Sequence, residues 1–401
     1  MLKKRVEIPI VDPTPKKEQL IKKIEELTLV IIKQICNSEF PKISYQRCDP
    51  ELNTPESLPA SNDDNEDNED LEDDEEELLK GSNENQDPDQ ICCNGSQTES
   101  TLDFSKERKR IQLVRMTIIL SKVHKLLMNK KVQTNRSLYY ELKSEQSTLF
   151  ENEKIVNYQI NSVAKLLSSP TWDLGLVAAA KGLVAGNLKL MFENEEKIDC
   201  DAVGGCLVPQ IMANHMGQLV TIETEAKVII VVEKEAVFNK LLSEGCPKKL
   251  NAILVTGKGY PDTATRIFVK MLVEKLKLPV FVLVDCNPHG FEIMSTYKYG
   301  SLNLWWERKE LQCSKVKWIG VYPSEMSIYF VEKLPLTPND TKKLDALEKR
   351  SYYDEDEKRE LKLMRQGKIE IEAIAGNDFI SINYLTSVYI PIKIQRFTQN
   401  D

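Results

Sequence analysis

The sequence predicts an α/β protein in which a winged-helix (CAP-like) unit precedes a doubly wound parallel sheet. Two observations carry this. First, near-continuous apolar runs alternate with helical periodicity. The runs are Val228–Val232, Ala252–Thr256, Pro279–Val284 and Lys317–Val321. Parallel strands covered on both faces read this way. Second, three amphipathic helices over residues 105–168 lead into two strand-like stretches around Lys181-Gly182. These stretches, Leu174–Ala180 and Leu183–Met191, read as a hairpin, and three helices with a hairpin make a winged helix, a common duplex-binding unit.

The 401 residues are ample for two or three cores. Composition divides them into an N-terminal helix (1–40), an acidic insert (41–104), the winged-helix unit (105–224) and the sheet domain with a helical extension (225–401). In the first segment, Leu20, Ile21, Ile24, Leu27, Ile31 and Ile32 stripe one amphipathic helix over residues 15–36. That stripe has two possible seats, the protein's own core or a partner protein. The insert is rich in Asn, Asp, Glu, Ser and Pro. It has too little apolar surface to offset its ordering entropy and reads as a disordered, solvated tether. Twelve carboxylates and no Lys or Arg lie between Asp63 and Glu77, so removing this run takes the net charge from −8 to +4. The remainder is mildly basic, with an acidic tether attached.

The nine cysteines show no repeated metal-ligand spacing. Cys200 and Cys206 are the closest approach to a zinc pair, but no His stands beside them, and free thiols in a reducing compartment are expected. The opening Met1-Leu2-Lys3-Lys4-Arg5 lacks the apolar core of a signal peptide. No apolar run approaches the roughly 18 residues of a membrane span. A soluble, intracellular protein without membrane contact is expected.

The stretch Thr134–Lys143 predicts a short helix capped by Thr134. Leu138, Tyr139 and Leu142 fall on its inner face. Arg136, Tyr140 and Lys143 fall on the other, at neighbouring positions. A guanidinium beside a phenol can hold a phosphate bidentately. An ordinary solvated surface would also look like this, so the helix alone leaves both readings open.

In doubly wound sheets, ligands sit at the carboxyl ends of the strands. Glu233 and Asp285 lie at two such ends. Hard oxygen ligands there suit magnesium, although two solvated loop carboxylates would have the same sequence. Gly257-Lys258-Gly259 lacks the spacing of a Walker loop or of G-x-G-x-x-G. It reads as a tight turn whose amides face phosphate. No ATPase signature is present.

Several ordered motifs carry a family resemblance over about residues 105–395. They are Arg136–Tyr140, Lys181–Gly186, Val231–Lys234, Thr256–Gly259 with Pro261-Asp262, Val284-Asp285 through Gly290, Tyr297–Ser301, Lys317–Gly320, Ile369–Ile374 and Val388–Pro391. Together the chain resembles the topoisomerase VI A-subunit family, and within it the meiotic branch that makes DNA double-strand breaks. The resemblance implies a Toprim sheet domain and a nucleophilic tyrosine at Tyr140 with Arg136 as its phosphate-binding neighbour. It implies a Mg²⁺ site at Glu233 and Asp285, with Lys143, Lys181 and Lys258 as DNA contacts. The family's Asp-x-Asp pair is Asp285-Cys286-Asn287 here, so Asn287 is a weak, uncharged ligand. Ser137 stands where the family usually has Asp.

Also implied are a nuclear location, double-stranded DNA as substrate, a homodimer or a dimer with a paralogue, meiotic accessory proteins and a topoisomerase VI B-like subunit. Two alternatives stay open: a catalytically weak or inactive DNA-binding scaffold, and the A component of a strand-passing topoisomerase VI-type enzyme.

Overall fold

The computed structural model describes residues 3–48, 97–202, 204–211, 218–301, 307–328, 333–375 and 383–398. The first half of the chain runs through β1 (Lys4–Glu7), α1 (Thr14–Cys36), β2 (Lys42–Cys48), β3 (Gln97–Asp103), α2 (Glu107–Met128), β4 (Gln133–Thr134), α3 (Asn135–Glu145) and α4 (Glu153–Leu167). Short strands follow: β5 (Leu176–Val177), β6 (Leu183–Ala185), β7 (Leu188–Phe192), β8 (Lys197–Asp199), β9 (Cys206–Leu207) and β10 (Leu219–Thr224). The sheet domain adds β11 (Val228–Val232), α5 (Glu235–Ser243), β12 (Ala252–Thr256), α6 (Thr263–Leu276), β13 (Val280–Leu283), α7 (Pro288–Lys298), β14 (Val316–Gly320), α8 (Pro338–Glu348) and α9 (Glu355–Met364).

The three helices expected in the helical unit are present as α2, α3 and α4. Each of the last two starts where its cap says it should. Thr134 Oγ1 accepts from the Ser137 amide, and Asn152 Oδ1 accepts from the Ile155 amide. Met116, Ile119, Val123, Leu138, Leu142, Ile160 and Val163 are buried between them.

The N-terminal helix belongs to this core. Leu20 and Ile24 are buried in the same cluster, and Lys23 Nζ donates to the Leu167 carbonyl at 2.9 Å. Of the two seats for that stripe, the protein's own core takes Leu20 and Ile24. Farther along the helix, Leu29, Val30, Ile32 and Ile35 are all exposed.

The insert is shorter than its composition suggests. Its two ends pair as antiparallel β2 and β3, with Ile43 opposite Leu102 and both buried. Lys42 and Asp103 close the pair at 3.1 Å. Ile43 and Leu102 join the helical core, which anchors the seven-pair ladder. The Asp63–Glu77 run lies outside the described residues.

No wing hairpin forms around Lys181. Gln133 and Thr134 take Leu176 and Val177 as a parallel pair, whereas β6 joins the large sheet. Leu183, Val184 and Ala185 pair antiparallel with Thr256, Val255 and Leu254. Gly182 permits this approach, because a Cβ there would meet Thr265 Oγ1 at 2.2 Å. Short apolar runs do not disclose their partners, and here two neighbouring runs went to different sheets. β7 pairs instead with β8 and β10, and β1 adds to the far side of β10.

The six-stranded sheet has the order β14-β13-β11-β12-β6-β9. Its first four strands are parallel, and β6 and β9 are an antiparallel edge. From β11 the chain crosses to β12 on one side, then to β13 and β14 on the other. The order therefore reverses between β11 and β13, the crevice where such folds bind ligands.

Candidate active site

Glu233 follows β11 and Asp285 follows β13, so both sit at the reversal point. They touch: the Asp285 amide donates to Glu233 Oε2 at 2.9 Å. Glu233 and Asp285 are 8 % and 1 % exposed. The first turn of α7 presses on them. A Cβ on Gly290 would meet the Asp285 carbonyl at 2.4 Å and Glu233 Oε2 at 3.0 Å, so only glycine fits. Asn287 caps that helix, its Oδ1 accepting from the Gly290 amide at 2.8 Å. Its carbonyl is therefore committed to the backbone, a task an aspartate would perform equally well.

Two acids unremarked in the sequence complete the cluster. Carboxylate oxygens of Asp285, Glu370 and Glu372 lie within 4.8 Å of one another. Backbone pairing brings them there. Ile369 and Cys286 exchange amide–carbonyl bonds at 2.9 and 3.1 Å, and the Ile371 amide donates to Asp285 Oδ1 at 2.9 Å. The sequence signal was the alternation Ile369-Glu370-Ile371-Glu372, with both isoleucines buried.

Lys234 stands among these acids. Its Nζ is 2.8 Å from Asp285 Oδ2 and 3.0 Å from Glu372 Oε2, and it also contacts Glu370. One ammonium cannot balance four carboxylates. Burial, with the Glu233 charge beside it, pushes the Asp285 carboxyl up to about 8. Burial also raises Glu233. Glu370 is lowered, because its contacts with Lys234 outweigh its partial burial. Hard oxygen donors with excess negative charge fit a divalent cation.

Lys181 and Lys258 meet on the same rim. Lys181 Nζ donates to the Lys258 carbonyl at 3.4 Å, and its amide donates to Asp262 Oδ2 at 3.1 Å. Lys258 has φ +53° and pairs with Glu235 at 3.0 Å. Lys181 is thus a residue of the sheet rim, not of a wing tip.

The tyrosine helix stands apart from this cluster, on the helical unit. Leu138, Tyr139 and Leu142 are buried, and Tyr140 is 55 % exposed. Arg136 Nη2 donates to Tyr140 Oη at 3.4 Å, with the guanidinium 5.9 Å from the ring centre. Lys143 departs from the expected arrangement. Its Nζ donates to Tyr139 Oη at 3.0 Å, so Tyr140 has one cationic neighbour in contact and not two. The Tyr139 hydroxyl in turn donates to the Glu151 carbonyl at 3.4 Å.

The Toprim-domain family of topoisomerase 6 A subunits and Spo11 matches residues 228–394, and the family described as type IIB DNA topoisomerase matches residues 111–176. Human meiotic recombination protein SPO11 is 35 % identical over 299 residues, 73 % of each chain. Arabidopsis thaliana meiotic recombination protein SPO11-1 is 33 % identical over 322 residues, 78 % of this chain and 86 % of its own. The A3 subunit of DNA topoisomerase 6 from Oryza sativa subsp. indica is 34 % identical over 287 residues, 69 % of this chain and 62 % of its own. With an exposed tyrosine on one unit, a strand-end acid cluster on the other and relatives that span most of its length, the chain belongs to the family of topoisomerase VI A subunits and Spo11.

Proposed function

We propose that this chain is a topoisomerase-like DNA transesterase that makes the double-strand breaks of meiotic recombination. The observation that carries the reading is the pair Arg136–Tyr140 on a helix whose inner face is locked into the core. A nucleophile needs access and a fixed approach, and α3 supplies both.

Tyr140 Oη attacks a backbone phosphorus in line. The new bond is a 5′-phosphotyrosyl ester, the bond to the 3′ oxygen breaks, and the proton lost by the phenol is made up at that oxygen, by way of solvent. One phosphodiester replaces another, so the step needs no nucleotide hydrolysis. Arg136 donates to the phosphate oxygens and holds the phosphate against the phenol. Glu233, Asp285, Glu370 and Glu372 would hold a divalent cation of the magnesium class, which when bound neutralises phosphate charge. Lys181 and Lys258 line the path of the DNA backbone beside it.

Tyr140 and the acid cluster are on different units, so one copy can supply the tyrosine and its partner copy the acids. Breaking both strands then takes two copies, as a homodimer or with a paralogue. The exposed face of α1, with Leu29, Ile32 and Ile35, is the proposed seat of a B-type subunit. DNA as substrate places the protein in the nucleus, where meiotic accessory proteins would join it.

The test is Tyr140→Phe, which removes one exposed oxygen. Covalent protein–DNA adducts trapped under denaturing conditions should vanish while DNA binding persists. Tyr139→Phe should retain the adduct. The reverse result would move the nucleophile to the inner ring and overturn the assignment.

A further inference from the structure

We propose that Cys200 and Cys206 form a peroxide-sensitive dithiol that closes to a disulfide. The inference is independent of the DNA chemistry. Their Sγ atoms are 3.2 Å apart, both thiols being free. Cys200 follows β8 and is fully buried, with its amide and carbonyl bonded to Leu188 and Gly186. Cys206 begins β9, is half-buried and lies opposite Val184 at the edge of the six-stranded sheet.

A metal is the other chemistry that two thiols suggest. Zinc takes four ligands, yet among the described residues no third His, Cys, Asp or Glu joins this pair. What remains is thiol chemistry between the two sulfurs. Closing the gap needs about 1 Å of further approach. There is room for it at Gly204, where a Cβ would meet nothing within 4 Å, whereas Gly205 is held close to the Val184 carbonyl.

The two thiols differ in the way the reaction needs. Contact with Cys200 holds Cys206 below the ordinary thiol value, and the same contact with burial holds Cys200 above it. The more exposed Cys206 is therefore the thiol that gives up its proton more readily, and it reacts as the thiolate. It attacks a hydroperoxide oxygen, the O–O bond breaks, and the leaving oxygen takes a proton. Cys206 is left as the sulfenic acid. The Cys200 sulfur attacks that sulfur, the S–O bond breaks, and water leaves with the Cys200 proton. Two thiols and one hydroperoxide give a disulfide, an alcohol or water, and one further water. Two electrons pass to the peroxide.

Closure would have a structural effect. β9 is a two-residue edge strand bonded only to β6. The disulfide would tie it to the end of β8, a strand of the other sheet. β6 begins just after Lys181, so the staple steadies the strand behind the cationic rim.

The experiment treats the full chain with hydrogen peroxide, blocks remaining thiols with iodoacetamide after denaturation, and maps peptides by mass. The expected result is a Cys200–Cys206 linked peptide in most molecules, lost on adding dithiothreitol. Amide hydrogen exchange over residues 204–208 should slow several-fold on closure. Cys200→Ser should leave a sulfenic acid on Cys206 that dimedone traps. Recovery of both cysteines as alkylated thiols, or of Cys206 as sulfonic acid without a link, would overturn the proposal.

Discussion

The Lys234 ammonium is 2.8 Å from the Asp285 carboxylate and shares its shell with Glu370 and Glu372. It sits where an incoming divalent cation would find its densest negative charge. Lysine and metal therefore compete for the same oxygens. Lys234→Met should tighten Mn²⁺ or Mg²⁺ binding roughly tenfold, about 1.4 kcal/mol. The metal-free variant should be less stable than wild type, because removing one partner leaves carboxylates uncompensated. Calorimetry of metal binding checks the first effect and thermal melts in chelator check the second. Equal affinities in the two proteins would mean that the ammonium and the cation do not compete.

The same cluster gives a pH dependence. Burial, with Glu233 close by, pushes Asp285 up to about 8 in the fold, against an ordinary value of 3.8. A folded value above the unfolded one stabilises while the group is neutral. This contribution is complete below about pH 4 and is lost as pH rises towards about 8. Asp285→Asn cannot ionise. Relative to wild type, its melting temperature in chelator should climb steadily from pH 5 to pH 8. A constant difference across that range would show that Asp285 is already ionised at pH 5. Metal binding needs the ionised form, so wild-type affinity should rise over the same window, with proton release.

Helix α1 separates two kinds of apolar residue. Ile24 is 3 % exposed and packs into the helical core, whereas Ile32 is 48 % exposed. Ile24→Ala should cost about 2–5 kcal/mol of stability by leaving a cavity. Ile32→Asp should change stability by no more than about 0.5 kcal/mol. The same change should weaken capture of a B-type partner on the exposed face. Denaturant melts and a pull-down with that partner distinguish the two positions. A large stability loss from Ile32→Asp would place it in the core and remove the docking face.

Elements whose signal is local were legible in the sequence. The apolar runs of β11, β12 and β13 are buried on both faces and read as such. The inner face of α3 and its Thr134 cap followed from 3.6-residue spacing. Glu233 and Asp285 were found because strand ends are where this topology gathers ligands. Features that depend on a remote partner were not legible. Nothing near Lys181 says that β6 will pair with β12, some 70 residues further on. Glu370 and Glu372 reach the site only through the Ile369–Cys286 backbone pairing, across more than 80 residues. Lys143 is a different case: Tyr139 and Tyr140 are both within its reach on the same helix, and spacing alone does not say which hydroxyl it takes.

The cationic rim holds its two lysines differently. Lys181 is exposed, and among the described residues its ammonium touches only the Lys258 carbonyl at 3.4 Å, whereas Lys258 is already paired with Glu235 at 3.0 Å. The two should therefore contribute differently to DNA binding. A phosphate meeting Lys181 replaces a weak contact with a charge pair and displaces a condensed counterion. A phosphate meeting Lys258 must also separate it from Glu235. Each phosphate neutralised contributes close to 0.9 to the slope of log affinity against log salt on duplex DNA. Lys181→Ala should lower that slope by about one and weaken binding to unrelated sequences alike. Lys258→Ala should lower it by clearly less, while Glu235→Gln, by freeing Lys258, should strengthen binding at low salt. Fluorescence anisotropy of a short duplex across a salt series measures all three. Parallel lines for wild type and Lys181→Ala would mean that the rim does not touch the DNA backbone at Lys181, and the path proposed for the duplex would have to move away from β6.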